Sequence, residues 1–164
     1  MRRLAFFAPL GAVVALAASP ALAQAPTVNV SLGGDLQAKV EELGERDVSE
    51  QTTRLIQVVQ STLARRGALD GATIDLVLTD LKPNRPTFQQ QVDRPGLDGI
   101  RSLSIGGATI EGTVTTADGQ VSPIKYDWYS HNINDVRGFG VWQDADRAYR
   151  RLAVNLADGR YVTR

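Results

Sequence analysis

The stretch Leu103 to Trp128 constrains this chain most, because only one hairpin register gathers its apolar residues on one side. Ala117-Asp118-Gly119 supplies a three-residue turn with Gly119 in the left-handed position, which sets Thr116 opposite Gln120. Counting back, Gly112 faces Ile124, Ile110 faces Tyr126 and Ala108 faces Trp128, all on one side because side chains alternate along a strand. The other side receives Thr113, Thr115, Asp127 and Tyr129, with Glu111 directly across from Lys125. A two-residue Asp-Gly turn would oppose Ile110 to Asp127 and Glu111 to Tyr126, mixing apolar with charged groups. The three-residue turn is therefore predicted, with one wet face and one apolar face that a second layer must cover.

Around this hairpin the inward parity changes, from Leu103 and Ile105 to Ala108, Ile110 and Val114, which predicts a β-bulge at Gly106-Gly107. Pro123 lacks a ladder donor and marks the second arm as an edge strand. Upstream, Thr27 to Leu32 alternates, with Val28, Val30 and Leu32 on one face, and reads as the first strand. Gly33-Gly34 breaks it, and Asp35 is placed to cap a short helix carrying Leu36, Val40 and Leu43 and ending at Gly44. A longer helix from about Ser49 aligns Leu55, Ile56, Val59 and Leu63; Glu50 and Arg65-Arg66 complement its dipole, and Gly67 stops it. Thr73 to Asp80 is a second strand with Ile74, Leu76 and Leu78 inward, so strand, helix and strand predict a parallel pair with a right-handed crossover.

Beyond the hairpin, Tyr129 to Val141 reads as a loop tethered by Ile133, Val136 and Phe139. The last helix has Asp144 as its expected N-cap, a stripe of Ala145, Ala148, Tyr149, Leu152 and Leu156, and Gly159 as its stop. Trp142 and Tyr149 are assigned to the core. The expected fold is a single α+β domain: one mostly antiparallel sheet of about four strands, helices on one face, in the order βα(α)βββα.

Leu81 to Ser102 has no clear periodicity and contains Pro83, Pro86 and Pro95. A loop this long in a compact domain is functional or packed on the surface. Phe88 and Leu97 are its expected anchors. Arg85, Arg94 and Arg101 are candidate ligands for an anion or acidic partner, since guanidinium groups bind carboxylates and phosphates as forks. The structural alternative pairs them with Asp80, Asp93 and Asp98. On the functional reading, replacing Arg85 and Arg94 together leaves stability nearly unchanged.

The N-terminus gives an address. Arg2-Arg3, an apolar run from Leu4 to Ala18 and the small-residue site Ala21-Leu22-Ala23 form a secretory signal peptide, with cleavage expected before Gln24. Residues 1–23 are then the leader and 24–164 the domain, destined for the periplasm or secretion without a stable membrane anchor. The run is shorter than the ~20 residues of a spanning helix. There is no cysteine, so disulfides, thiolate metal sites and cysteine-linked lipid are excluded and the fold must rest on its core. Without the leader, sixteen basic residues stand against eighteen acidic ones, a balance that argues against non-specific nucleic-acid binding.

The blocks Lys82-Pro-Asn-Arg-Pro-Thr87, Pro95-Gly-Leu-Asp98, Ser104-Ile-Gly-Gly-Ala108 and Trp142-Gln-Asp-Ala-Asp-Arg-Ala148 occur in this order. In this the chain resembles uncharacterised exported proteins of proteobacteria. The resemblance implies a periplasmic origin and a small α+β domain, and brings no activity, cofactor or catalytic residue.

His131 is the only histidine. An enzymatic reading makes it a general base oriented by Asp127 or Asp135, in a small hydrolase-like protein, but no nucleophile motif accompanies it. Those three residues would share a face only on a helix, whereas Trp128-Tyr129 favours a strand, so no metal site is expected. Neither Gly-Gly pair is followed by the Gly-Lys-Ser/Thr of a phosphate loop, and no cofactor is expected. The favoured expectation is a non-catalytic module that binds a protein, envelope component or small ligand through the 81–102 loop or a strand edge.

Overall fold

The structure is a computed structural model that describes residues 24–163 other than 137 and 139; residues 1–23, where a leader is expected, and Phe139 lie outside the described residues. The elements follow in the order β1 (Thr27–Leu32), α1 (Gly34–Leu43), α2 (Glu45–Arg66), β2 (Thr73–Lys82), α3 (Phe88–Asp93), β3 (Gly107–Thr115), β4 (Val121–Tyr129), a 3-10 turn (Ile133–Asp135), α4 (Gln143–Ala157) and β5 (Val162–Thr163). The fold is α+β, built on one sheet whose spatial order follows the chain, β1-β2-β3-β4-β5. The outer pairings, β1 with β2 and β4 with β5, are parallel, and the two inner pairings are antiparallel. The sheet is therefore mixed, with a fifth strand that the pattern of the sequence does not announce.

The hairpin register is the predicted one. Ala108 pairs with Trp128, Ile110 with Tyr126, Glu111 with Lys125 and Gly112 with Ile124. The Thr116 amide donates to Gln120 O at 2.9 Å and the Gly119 amide to Thr116 O at 2.8 Å, with Gly119 at φ +86°. Ile74, Leu76, Leu78, Ile110, Val114 and Ile124 are essentially inaccessible. Against them α2 contributes Leu55, Val59 and Leu63, and α4 contributes Tyr149, Leu152 and Leu156. Each such aliphatic side chain contributes about 1.5–3 kcal/mol on burial, which is why one register prevails.

Several local expectations are corrected. The irregularity lies in β2, between Leu78 and Asp80, and not at Gly106-Gly107; β3 simply begins at Gly107, and Leu103 and Ile105 before it are exposed. Helix α2 starts at Glu45, directly after Gly44, about a turn earlier than its apolar stripe indicates. Pro123 is not on the outermost strand, because β5 lies beyond β4. Since the Thr116 amide points at Gln120, alternate positions bond across β3 and β4, and Pro123 opposite Thr113 falls at a position whose missing donor faces away from β3.

The segment after β2 is not a plain loop. Thr87 caps α3 reciprocally: its hydroxyl accepts from the Gln90 amide at 3.2 Å, and Gln90 Oε1 accepts from the Thr87 amide at 3.2 Å. Phe88 is 76% exposed, so it does not anchor the segment, whereas Leu97 is half-buried. Ile133 is exposed and Val136 half-buried in the later loop. Among the described residues no helix is long and apolar enough to cross a membrane.

Candidate functional site

The three candidate arginines go to different places. Arg85 is buried, and its guanidinium donates to the carbonyls of Ile100 and, at 3.4 and 3.2 Å, of Gly99 and Gly138. Arg94 is exposed and pairs with Glu42 on α1 at 2.9 Å. Arg101 is exposed, and its backbone amide donates to Asp98 Oδ1 at 2.9 Å. The local acids are engaged elsewhere than expected: Asp80 accepts from Lys39 and Tyr129, both at 2.8 Å, and Asp98 caps a turn through Ile100 and Arg101 amides. Arg85 and Arg94 both line a hollow of about 310 Å3 with Pro86, Leu97 and Leu103. The arginines do not converge on one point.

Asp144 is not an N-cap. Trp142 holds that position, without a side-chain cap, and Asp144 lies in the first turn of α4, wholly inaccessible. Its carboxylate accepts from Asn84 Nδ2 at 2.5 Å, Ser130 Oγ at 2.6 Å and Arg147 at 3.0 Å. Asn84, equally inaccessible, accepts the Asp144 amide at 2.8 Å through Oδ1 and donates to Ser104 O at 3.2 Å. A buried carboxylate is tolerated only with such a set of donors. The cluster joins the segment after β2, the end of β4 and the start of α4, out of reach of solvent. Asn84 lies within the Lys82–Thr87 block singled out in the sequence, but nothing in its local pattern marks it as buried.

The hydrolase candidates are all exposed. Asp127 projects from the wet face of the sheet opposite Thr109, His131 follows the end of β4, and Asp135 closes the 3-10 turn. Ser130, their neighbour, turns its hydroxyl inward to Asp144. Among the described residues no group of three or more histidine and acidic side chains is arranged to hold a metal ion.

On the wet face, Asp80 is the centre of a polar cluster. Tyr129 Oη bonds Asp80 and, at 2.7 Å, Thr109 Oγ1, while Lys82 lies 5.1 Å from the Tyr129 ring centroid. Burial alone raises the Asp80 carboxyl, but the Lys39 and Tyr129 hydrogen bonds outweigh it and hold the group below its ordinary value. Tyr129 is raised by burial, helped by Asp80.

A groove of about 490 Å3 runs between α4 and the outer end of β4, lined by Tyr126, Trp128, Arg150, Arg151, Val154 and Asn155 among others. Register explains it. Tyr126 and Trp128 share the parity of Ile124 and point toward the helix layer, at the margin of the sheet where α4 covers them incompletely. The Arg151 guanidinium lies 4.7 Å from the Trp128 ring centroid. Tyr126 is 5% exposed, and its hydroxyl has no hydrogen-bond partner among the described residues. Burial pushes that phenol up to about 12, with the nearby Arg151 charge acting in the opposite sense. β5 covers the edge beside the groove: Lys125 N donates to Tyr161 O at 3.0 Å, and the parallel pairings of Lys125 with Val162 and Tyr126 with Thr163 engage the outward amide of Asp127 as well.

A second hollow, of about 440 Å3, lies between the 49–57 stretch of α2 and the start of α4, but its charged groups are already paired, Arg54 with Asp146 at 2.7 Å and Glu50 with Arg46 at 2.8 Å. Sequence reasoning assigned Tyr126 and Trp128 to the covered face and missed the groove, because the incomplete cover depends on where α4 ends. Neither the protein-family models nor the curated proteins compared with this chain match it.

Proposed function

We propose that this protein is an exported, non-catalytic binding module whose recognition site is the groove between β4 and α4. The observation that carries this reading is the presence in one concave site of Arg151, stacked on Trp128, and of the Tyr126 hydroxyl, which has no hydrogen-bond partner among the described residues. Natural sites of this kind join aromatic walls to a few polar groups that fix orientation. The 81–106 segment, tied down by Arg85 and Asn84, acts in this reading as a scaffold that sets α4 in place.

A thermal-shift screen over organic acids, amino-acid derivatives, short peptides, sugars and phosphates tests the assignment. Ligands that stabilise the wild type are expected to lose that effect in Arg151→Gln and to keep it in Arg101→Gln. Equal stabilisation of all three proteins would place recognition elsewhere. Ester or amide turnover abolished by His131→Ala would replace the binding reading with the hydrolase one.

A further inference from the structure

We propose that the groove takes a single carboxylate carried on an apolar body, held between the Arg151 guanidinium and the Tyr126 hydroxyl; this rests on the groove being the recognition site. Charge comes first. Arg150 pairs with Asp146 at 2.7 Å, and Arg160 bonds Asp158 at 2.8 Å and Asn155 at 2.9 Å. Arg151 has no ion pair among the described residues, and the one carboxylate of the lining, Asp127, is exposed and belongs to the wet face of the sheet. One open positive charge matches a monoanion better than a phosphate dianion.

Geometry narrows the class further. Stacking on Trp128 occupies one face of the Arg151 guanidinium and leaves its in-plane N–H groups, whose fork fits a carboxylate. The Tyr126 hydroxyl is a buried donor without an acceptor among the described residues, and it stays protonated across the physiological range because burial raises it to about 12. A carboxylate oxygen supplies the missing acceptor. Arg151 is exposed and long-chained, so a rotamer change that trades part of its contact with Trp128 admits the ligand. Trp128 and Val154 provide apolar walls for the rest of the molecule, and about 490 Å3 suits a ligand the size of an acylated amino acid. The same chemistry occurs in a free carboxylic acid and at the C-terminus of a peptide.

Calorimetry and amide-resolved NMR on the purified chain separate these cases, using N-acetyl-leucine, its amide, inorganic phosphate, and a leucine-ended hexapeptide with a free or an amidated C-terminus. Saturable binding of the free acids is expected, with the amides and phosphate weaker by about tenfold or more. Arg151→Gln should weaken the acids by about tenfold, and Tyr126→Phe by about fivefold, with melting temperature retained because that hydroxyl bonds none of the described residues. A free peptide binding about tenfold tighter than N-acetyl-leucine identifies a peptide terminus as the source; equal affinities identify the small acid. If acid and amide bind alike and both are lost in Arg151→Gln, the carboxylate class is wrong while the groove stands. If no acid binds, or if the acids bind both variants as well as wild type, the proposal is overturned, and in the second case the groove is no longer the recognition site.

Discussion

Asn84 and Asp144 hold each other by two hydrogen bonds: the Asn84 amide nitrogen donates to the Asp144 carboxylate at 2.5 Å, and its oxygen accepts the Asp144 backbone amide at 2.8 Å. The pair fixes the segment after β2 to the first turn of α4, and both residues are fully inaccessible. Removing either partner leaves a buried polar group unpaired. Asn84→Ala should therefore cost about 3 kcal/mol in urea unfolding, and Ser130→Ala, which removes one of the carboxylate's donors, about 1 kcal/mol. The double variant should cost less than the sum, because both act on one carboxylate. Strict additivity would mean that the three side chains do not work as a unit.

Two glycines of β3 and its turn make different demands. Gly119 has φ +86° and nothing close to the place a β-carbon would take, so a side chain there meets only a conformational penalty. Gly112 has φ +153°, and a β-carbon there would collide with the backbone oxygen of Asp75 on β2. Gly119→Ala should cost about 1–2 kcal/mol. Gly112→Ala should cost more, about 3 kcal/mol or above, since β2 must move away from β3. Chemical denaturation of the two variants side by side decides it, and equal midpoints would contradict the close approach of the two strands.

Asp80 and Lys39 give the fold a pH dependence whose sign can be worked out. The hydrogen bonds to Asp80 hold its folded pKa below the ordinary 3.8, so its contribution is present above that value and is lost as pH falls through the folded one. Lys39 is raised above 10.5, chiefly by its hydrogen bond to Asp80; its contribution is present below 10.5 and is lost as pH rises through the folded value. Both side chains are partly exposed, so each contribution stays near or below ~1 kcal/mol. Asp80→Asn should be less stable than wild type near neutral pH, and the gap should close as pH falls below 3.8 and through the folded pKa. A gap constant between neutral and acid pH would show that the Lys39 and Tyr129 bonds do not favour the ionised carboxylate.

The parts of this fold that were legible in the sequence are those governed by periodicity. The parity of Ile110, Tyr126, Gly112 and Ile124 admits one register, and the stripe from Ala145 to Leu156 admits one helix. What escaped has other causes. Helix α3 buries no residue and is held by the Thr87–Gln90 capping box, a four-residue signal without periodicity. β5 has two residues, too few to alternate. Asp144 has the composition of a cap, and only the arrival of Asn84 and Ser130 from distant segments makes it a buried anchor. The groove follows from how far α4 extends over Trp128, a tertiary fact with no local signature.

Arg85 and Arg94, alike in the sequence, should behave differently on replacement. Arg85 is buried and binds carbonyls from two loops, at Gly99, Ile100 and Gly138, so that one guanidinium joins the 94–106 segment to the approach to α4. Arg85→Ala exposes those carbonyls or leaves them unpaired, and also loses the packing of a long stem; it should cost about 2–4 kcal/mol. Arg94 forms a surface pair with Glu42, with 61% of its side chain exposed, and Arg94→Ala should cost less than ~0.5 kcal/mol. The double variant should then unfold like Arg85→Ala alone. This departs from the expectation, drawn from sequence, that both could be replaced at little cost. If the double variant instead keeps the wild-type urea midpoint, the carbonyl contacts of Arg85 do not hold the segment, and the arginine is available for a ligand after all.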